Sequence, residues 1–119
     1  MSLIEHDLIA IGGGTAGLVS SAGAAYLGVR SALVERAALG GDCLWTGCVP
    51  SKALLASARL AHAMRNAESL GLVGTPPADV FCSVMARMRE ARERVAHHDD
   101  PERFRQMGVD VRFGTARFI

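Results

Sequence analysis

The sequence predicts an α/β fold in which short buried strands form a parallel sheet. The apolar runs Asp7–Ile11 and Ser31–Glu35 each have the length of a buried strand. Between them lies a glycine turn followed by the Ala-rich stretch Leu18–Leu27, which suits a helix ending at Gly28. Strand, turn, helix and strand together occupy about 30 residues, the length of a βαβ unit, which has parallel strands and a right-handed crossover.

The rest of the chain continues the alternation of elements. The predicted elements are a loop over Arg36–Pro50, a helix over Pro50–Ala67, a break over Ser69–Pro77, an amphipathic helix over Ala78–His97, a short helix from Asp100-Pro101 to Gly108, and strands over Val109–Arg112 and Thr115–Ile119. The predicted apolar face of the amphipathic helix comprises Val80, Phe81, Val84, Met85, Met88, Ala91 and Val95. Cys82 flanks this face, and we expect it to be a packing residue.

Composition excludes several classes of protein. Half of the residues are apolar, 21% are charged and the net charge is +1, which argues against a disordered tail and against a nucleic-acid-binding surface. The uncharged stretch Leu8–Val29 is too rich in Gly and Ala for a good lipid-facing span. Three cysteines do not make a secreted disulfide scaffold, so we expect a reducing, cytoplasmic location.

The length of 119 residues fits one domain. The chain ends at Ile119, inside a predicted strand. We therefore expect residues 1–119 to be the front part of a longer protein.

The glycine turn predicts a dinucleotide site. Gly12-x-Gly14-x-x-Gly17 lies between a predicted strand and a predicted helix, where Gly12 permits a tight turn, Gly14 lets a pyrophosphate approach and Gly17 lets the helix pack on the strand. The helix N-terminus favours the anion. Glu35 ends the second strand and can accept a hydrogen bond from a ribose hydroxyl. The alternative is a glycine turn that serves packing alone.

Cys43 and Cys48 predict a redox-active dithiol. A disulfide closing so short a loop stabilises a fold by at most about 2 kcal/mol, so stability is a poor reason for the pair. A thiolate at Cys48 would be stabilised by the helix that follows and by Lys52. Two unrelated thiols, or a metal site, are the alternatives; no second Cys/His pair at ligand spacing supports a metal.

The glycine turn, Glu35 and the segment from Cys43 to Lys52 together resemble the N-terminal portion of the class I pyridine nucleotide–disulfide oxidoreductases. This family includes dihydrolipoamide dehydrogenase, glutathione reductase and mercuric reductase. The resemblance covers Ile4–Ile119 and implies a Rossmann-like FAD-binding domain with a parallel sheet, of which the chain would be an incomplete N-terminal segment. The NAD(P)H-binding and dimerisation domains of the family are absent from residues 1–119.

The resemblance also implies roles for individual residues. Cys48 would be the thiol next to the flavin, Cys43 the thiol that meets the substrate, and Lys52 would reach the flavin ring. The implied cofactor-binding residues are Gly12, Gly14, Gly17, Glu35, Gly41, Asp42, Lys52 and Ala116. The family usually has Thr at the position of Asp42 and Asn-Val at the position of Trp45-Thr46, so the roles of Asp42 and Trp45 stay open.

The implied activity is electron transfer from NAD(P)H through FAD to a Cys43–Cys48 disulfide, and then to a small-molecule disulfide or to mercuric ion. The full-length protein is expected to be a homodimer, and the 119-residue piece alone is expected to be inactive. Two other readings remain open: an NAD(P)-binding dehydrogenase domain, and a non-enzymatic thiol module for redox sensing or metal holding.

Overall fold

The fold contains a three-stranded parallel sheet, and the computed structural model describes residues 3–119. The strands are β1 (Leu8–Ile11), β2 (Ser31–Glu35) and β3 (Asp110–Phe113), in the order β1-β2-β3. The helices are α1 (Thr15–Tyr26), α2 (Gly41–Trp45), α3 (Cys48–Arg65), α4 (Phe81–Ala96) and α5 (Pro101–Gln106), with single 3₁₀ turns at Ala67–Leu70 and His97–Asp99.

The first half of the sheet confirms the predicted βαβ unit. β1 pairs in parallel with β2, and Ile11 lies opposite Val34 at the end where both strands stop. α1 connects the two strands and packs on both of them. Its C-terminal turn is closed by Gly28, whose φ of +79° is readily adopted by glycine.

The core lies between the sheet and the helices that cover it. Leu33 on β2 is fully buried and packs in one cluster with Leu18 of α1 and Phe104 of α5. Asp100 caps α5 by accepting a hydrogen bond from the Glu102 backbone N–H at 2.8 Å, which confirms the predicted cap. This core fixes the sheet edge at which all three strands end.

The segment predicted as the loop Arg36–Pro50 contains regular structure. It holds α2, and α3 begins at Cys48, so the cysteines belong to two helices separated by Thr46 and Gly47. Pro50 lies in the first turn of α3, where its missing N–H costs no helical hydrogen bond. The predicted helix over Pro50–Ala67 corresponds to α3, which starts two residues earlier than predicted. α2 has only five residues and follows Gly40, which is why periodicity did not reveal it.

The amphipathic helix α4 is less buried than its sequence predicted. Of the predicted apolar face only Met88 is buried, and Phe81 is 75% exposed. The reason is that α4 packs mainly on α3 and does not lie across the sheet. Cys82 is exposed, so its predicted packing role is wrong.

The predicted strand Thr115–Ile119 is wrong as well. The Gly114 N–H still donates to the Glu35 carbonyl oxygen at 2.8 Å. Beyond that point β2 has ended, and the following residues have no neighbouring strand to pair with. Among residues 3–119, no helix is both long and apolar enough to cross a membrane.

Candidate functional site

A cavity of about 790 Å³ opens at the carboxyl ends of the three strands. This edge is where open parallel sheets bind ligands. Six of the predicted cofactor-binding residues line it, and the complete lining comprises Ile11, Gly12, Gly14, Val34, Glu35, Arg36, Ala37, Ala38, Gly41, Asp42, Trp45, Gly114, Thr115 and Ala116.

The glycine turn forms one wall of the cavity. Gly12 turns the chain out of β1 with a φ of +103°, a conformation that residues with a side chain rarely adopt. A Cβ atom on Gly17 would collide with the Gly12 carbonyl oxygen, so only glycine lets α1 start this close to β1. Gly14 precedes α1, and no side chain among residues 3–119 caps this helix end. The first-turn amides of α1 therefore remain as donors beside the cavity.

Glu35 lines the cavity beside the glycine turn, and backbone N–H groups hold its carboxylate. Its Oε2 accepts a hydrogen bond from the Gly13 N–H at 2.6 Å, and its Oε1 accepts one from the Ala37 N–H at 2.8 Å. The bond from Gly13, followed by that from Ala37, lowers the pKa of Glu35 below its ordinary value. The side chain is thus an oriented carboxylate at the end of β2, and each oxygen retains a lone pair for a ligand hydroxyl.

A second glycine segment closes on the first. The Gly40 N–H donates to the Gly13 carbonyl oxygen at 2.8 Å. A Cβ atom on Gly41 would lie 2.7 Å from the Gly14 Cα, so the two segments approach more closely than side chains would permit. Asp42, the next residue, is exposed and lines the same cavity.

The structure brings the two predicted redox thiols together. Cys43 lies on α2 and is half-buried, and Cys48 is the first residue of α3 and is exposed. The neighbouring Cys48 side chain is the main cause of a raised pKa at Cys43, and burial raises it further. Thr15, at the start of α1, acts on the pKa of Cys43 in the opposite direction and is the smallest of its causes. The dithiol therefore lies next to the glycine turn.

The turn between the thiols depends on Gly47, which precedes α3. A Cβ atom there would lie 2.8 Å from the Asp42 carbonyl oxygen, so a side chain would push α2 and α3 apart. The expectation that Cys43 lies in a loop is wrong, because it is held in a helix. Lys52 is exposed on α3, one helical turn after Cys48, and does not line the cavity.

Sequence reasoning did not assign roles to several residues at this site. Thr15 occupies a variable position of the glycine motif, and only the fold brings it to Cys43. Trp45 lines the cavity, and its Nε1 donates to the Leu39 carbonyl oxygen at 2.8 Å. The Trp was visible as a departure from the family pattern, but its contacts were not.

The residues present fit the adenosine and pyrophosphate part of FAD. The glycine walls leave backbone amides accessible, and the oriented Glu35 carboxylate suits a ribose diol. Ala116 and its neighbours Gly114 and Thr115 form a further wall of the cavity. Asp42 is a second carboxylate of the lining besides Glu35, and its charge opposes a bound pyrophosphate.

Residues 6–117 match the family model described as "Pyridine nucleotide-disulphide oxidoreductase". A dihydrolipoyl dehydrogenase of Zymomonas mobilis subsp. mobilis is 48% identical over 95 residues, which cover 79% of this chain and 20% of that protein. Dihydrolipoyl dehydrogenase 2 of Haloarcula marismortui is 40% identical over 116 residues, covering 95% of this chain and 24% of the relative.

Among solved structures, the Cu(II) complex of the HOCl-induced flavoprotein disulfide reductase RclA from Escherichia coli has a similar fold. Its TM-score is 0.70 at 25% sequence identity, and the match covers 98% of this chain and 23% of that one. The chain thus spans about a fifth to a quarter of the length of the proteins it matches.

Proposed function

The chain belongs to the pyridine nucleotide-disulphide oxidoreductase family, and we propose on this premise that it supplies the FAD cradle and the redox dithiol of a disulfide oxidoreductase. The family is FAD-dependent and uses NAD(P)H as co-substrate. The observation that carries the proposal is the juxtaposition of Cys43 and Cys48 beside a glycine-walled cavity.

In the proposed complex, the first-turn amides of α1 bind the pyrophosphate and Glu35 accepts hydrogen bonds from the ribose. Gly41 lets the backbone of α2 approach the same part of the cofactor. FAD, when bound, supplies a two-electron carrier between NAD(P)H and the dithiol. Lys52 would reach the flavin ring from the second turn of α3.

The two thiols then carry out disulfide exchange. The Cys43 sulfur attacks one sulfur of a substrate disulfide, forms a mixed disulfide and releases one substrate thiolate, which takes up the Cys43 proton. Cys48 attacks the Cys43 sulfur, which releases the second substrate thiolate and restores the Cys43–Cys48 disulfide. Two electrons thus pass to the substrate, which takes up two protons, and the reverse sequence oxidises a substrate dithiol.

The position of each thiol supports these roles. Cys48 is the first residue of an 18-residue helix, whose N-terminal amides stabilise a thiolate. The raised pKa of Cys43 beside Cys48 is consistent with the proton residing on Cys43. Cys48 is the more exposed of the two. The assignment therefore requires that bound FAD cover Cys48 and leave Cys43 to the substrate.

For the acceptor we propose a small-molecule disulfide of the lipoyl class, because the most similar relatives reported above are dihydrolipoyl dehydrogenases. Oxidation of NAD(P)H by the full-length protein in the presence of lipoamide tests this acceptor. The same assay with Hg²⁺ in place of lipoamide tests mercuric ion, the other acceptor implied by the sequence resemblance. We further propose that the full-length protein is a homodimer and is cytoplasmic; closely spaced thiols suit a reducing compartment.

The test uses serine variants of the full-length protein. Cys43→Ser should leave a Cys48 thiolate beside oxidised flavin and show a long-wavelength charge-transfer band that fades on acidification. Cys48→Ser should show no band, and both variants should lose disulfide turnover. Cys82→Ser is the matched control, because this exposed thiol lies on α4 outside the cavity.

Other results would contradict the assignment. A band in Cys48→Ser but not in Cys43→Ser would exchange the two roles. A protein that purifies without flavin absorbance would favour an NAD(P)-binding dehydrogenase domain. If Cys43 and Cys48 take no part in disulfide exchange, the two cysteines are unrelated thiols without a redox role. In the wild type, FAD should slow alkylation of Cys48 more than that of Cys43.

A further inference from the structure

Helix α2, which carries Cys43, is held in place by the charged side chain of Arg92, a residue that lies 47 positions after Trp45 in the sequence. The guanidinium of Arg92, on α4, lies 5.4 Å from the centroid of the Trp45 ring, within the range of a cation–π interaction. Its Nη1 also donates to the Trp45 carbonyl oxygen at 3.4 Å. Trp45 is the last residue of α2, and its carbonyl has no partner within the helix.

Both contacts act at one position between the two thiols. A cation that binds the last carbonyl of a helix complements the negative end of the helix dipole. Trp45 is in turn tied to the Leu39 carbonyl oxygen through Nε1. α2 is therefore held at Trp45 from two sides, by α4 and by the segment before the helix.

The placement of Arg92 carries a cost. Its Nε is buried and has no hydrogen-bond partner among residues 3–119. A desolvated guanidinium N–H without a partner is unfavourable. The stability of the fold alone is thus an incomplete explanation for Arg92 at this position. The contacts of Arg92 with Trp45 suit a different role, which is to fix the position of Cys43 relative to Cys48.

We propose that Arg92 is a positioning residue for disulfide exchange: it locks α2 through Trp45 and thereby holds Cys43 against Cys48. This inference rests on the proposed function. The quantity it controls is the effective concentration of one thiol at the other, because that concentration depends on how firmly the short connection between them is held.

The test measures this quantity directly in the full-length FAD-bound protein. Samples are equilibrated with oxidised and reduced glutathione without NAD(P)H, and the Cys43–Cys48 disulfide is quantified by alkylation and mass spectrometry. In the reaction, the dithiol gives two electrons and two protons to oxidised glutathione, which becomes two glutathione thiols. The equilibrium constant has units of concentration and reports the effective concentration.

Arg92→Met should lower this constant by about tenfold, because the cation–π contact and the carbonyl cap are lost together. Arg92→Lys should recover part of the loss, since it restores a cation and a donor. Arg89→Met is the matched control: Arg89 is exposed on the same helix, and its variant should match the wild type. FAD content, measured by absorbance, should stay equal in all three variants.

A double-mutant cycle separates positioning from general damage. If Arg92 acts through Trp45, Trp45→Leu should lower the constant, and adding Arg92→Met should lower it less than it does in the wild type. This comparison also serves if Arg92→Met alone folds poorly, because Arg92→Lys can take its place in the cycle.

Failure of the proposed function and failure of the role proposed for Arg92 would give different results. A wild type that forms no Cys43–Cys48 disulfide in any glutathione buffer would overturn the proposed function itself. A wild type that forms it, with Arg92→Met and Arg92→Lys within twofold of the wild-type constant, would overturn the role of Arg92 and leave the dithiol intact.

Discussion

Replacing Glu35 should separate its contribution to FAD binding from its contribution to the glycine turn. In Glu35→Ala, the N–H groups of Gly13 and Ala37 lose acceptors at 2.6 and 2.8 Å, and the ribose loses a carboxylate. One charge-assisted hydrogen bond to the cofactor is worth about 1.5–3 kcal/mol, so the FAD dissociation constant should rise about 10- to 150-fold. Because Gly13 is buried, its unpaired N–H should also lower the free energy of unfolding by about 1–3 kcal/mol.

Glu35→Gln refines this expectation. The amide keeps one acceptor oxygen but loses the charge, so one of the two backbone N–H groups loses its partner and FAD affinity should fall by about tenfold. Titration of apoprotein with FAD, followed by quenching of flavin fluorescence, measures both variants. Glu90→Gln, an exposed glutamate on α4, is the control and should change affinity by less than twofold. Wild-type affinity in Glu35→Ala would remove Glu35 from the site.

The pH dependence of the same titration tests the ionised state. The Gly13 and Ala37 N–H groups lower the pKa of Glu35, so its contribution is fully present above the ordinary glutamate pKa of about 4.3 and is lost as pH falls through the lower folded value. The ratio of the Glu35→Gln and wild-type dissociation constants should therefore stay constant from pH about 8 to about 5. A ratio that declines already near neutral pH would contradict the lowered pKa.

Three other substitutions or measurements test the fold and the dithiol. Gly17→Ala should destabilise the protein by about 1–3 kcal/mol in urea denaturation, because the added Cβ meets the Gly12 carbonyl oxygen, whereas Gly23→Ala on the same helix meets no atom within 4 Å and should be neutral or stabilising. Equal stability of the two variants would argue against a close approach at Gly17. Asp100→Ala should cost about 1 kcal/mol in the same assay through loss of the α5 cap, and no change would mean that the cap is replaced by water. Emission of Trp45, the sole Trp, should change when the wild-type dithiol is reduced, and constant emission would show that α2 does not respond to the redox state.

The βαβ unit could be predicted because each of its signals is local. Ser31–Glu35 is a strand at the predicted bounds, and the glycine turn lies between β1 and α1 as its spacing requires. The hydrophobic pattern gave wrong predictions where the burial or pairing of a segment depends on the elements packed beside it. Phe81 has an apolar position on α4 but no core to pack against, and Thr115–Ile119 has strand-like composition but no strand beside it.

The motifs by themselves identified the family, since Gly12-x-Gly14-x-x-Gly17 and the Cys43–Cys48 pair are recognisable patterns within a few contiguous residues. The tertiary structure alone decided which parts meet. The Glu35 carboxylate reaches the glycine turn because parallel strands end at one edge of the sheet. Arg92 reaches Trp45 because α4 packs beside α2 and α3, although the two residues lie far apart in sequence. Contacts between distant segments depend on the packing of whole elements, and no local pattern in the chain encodes that packing.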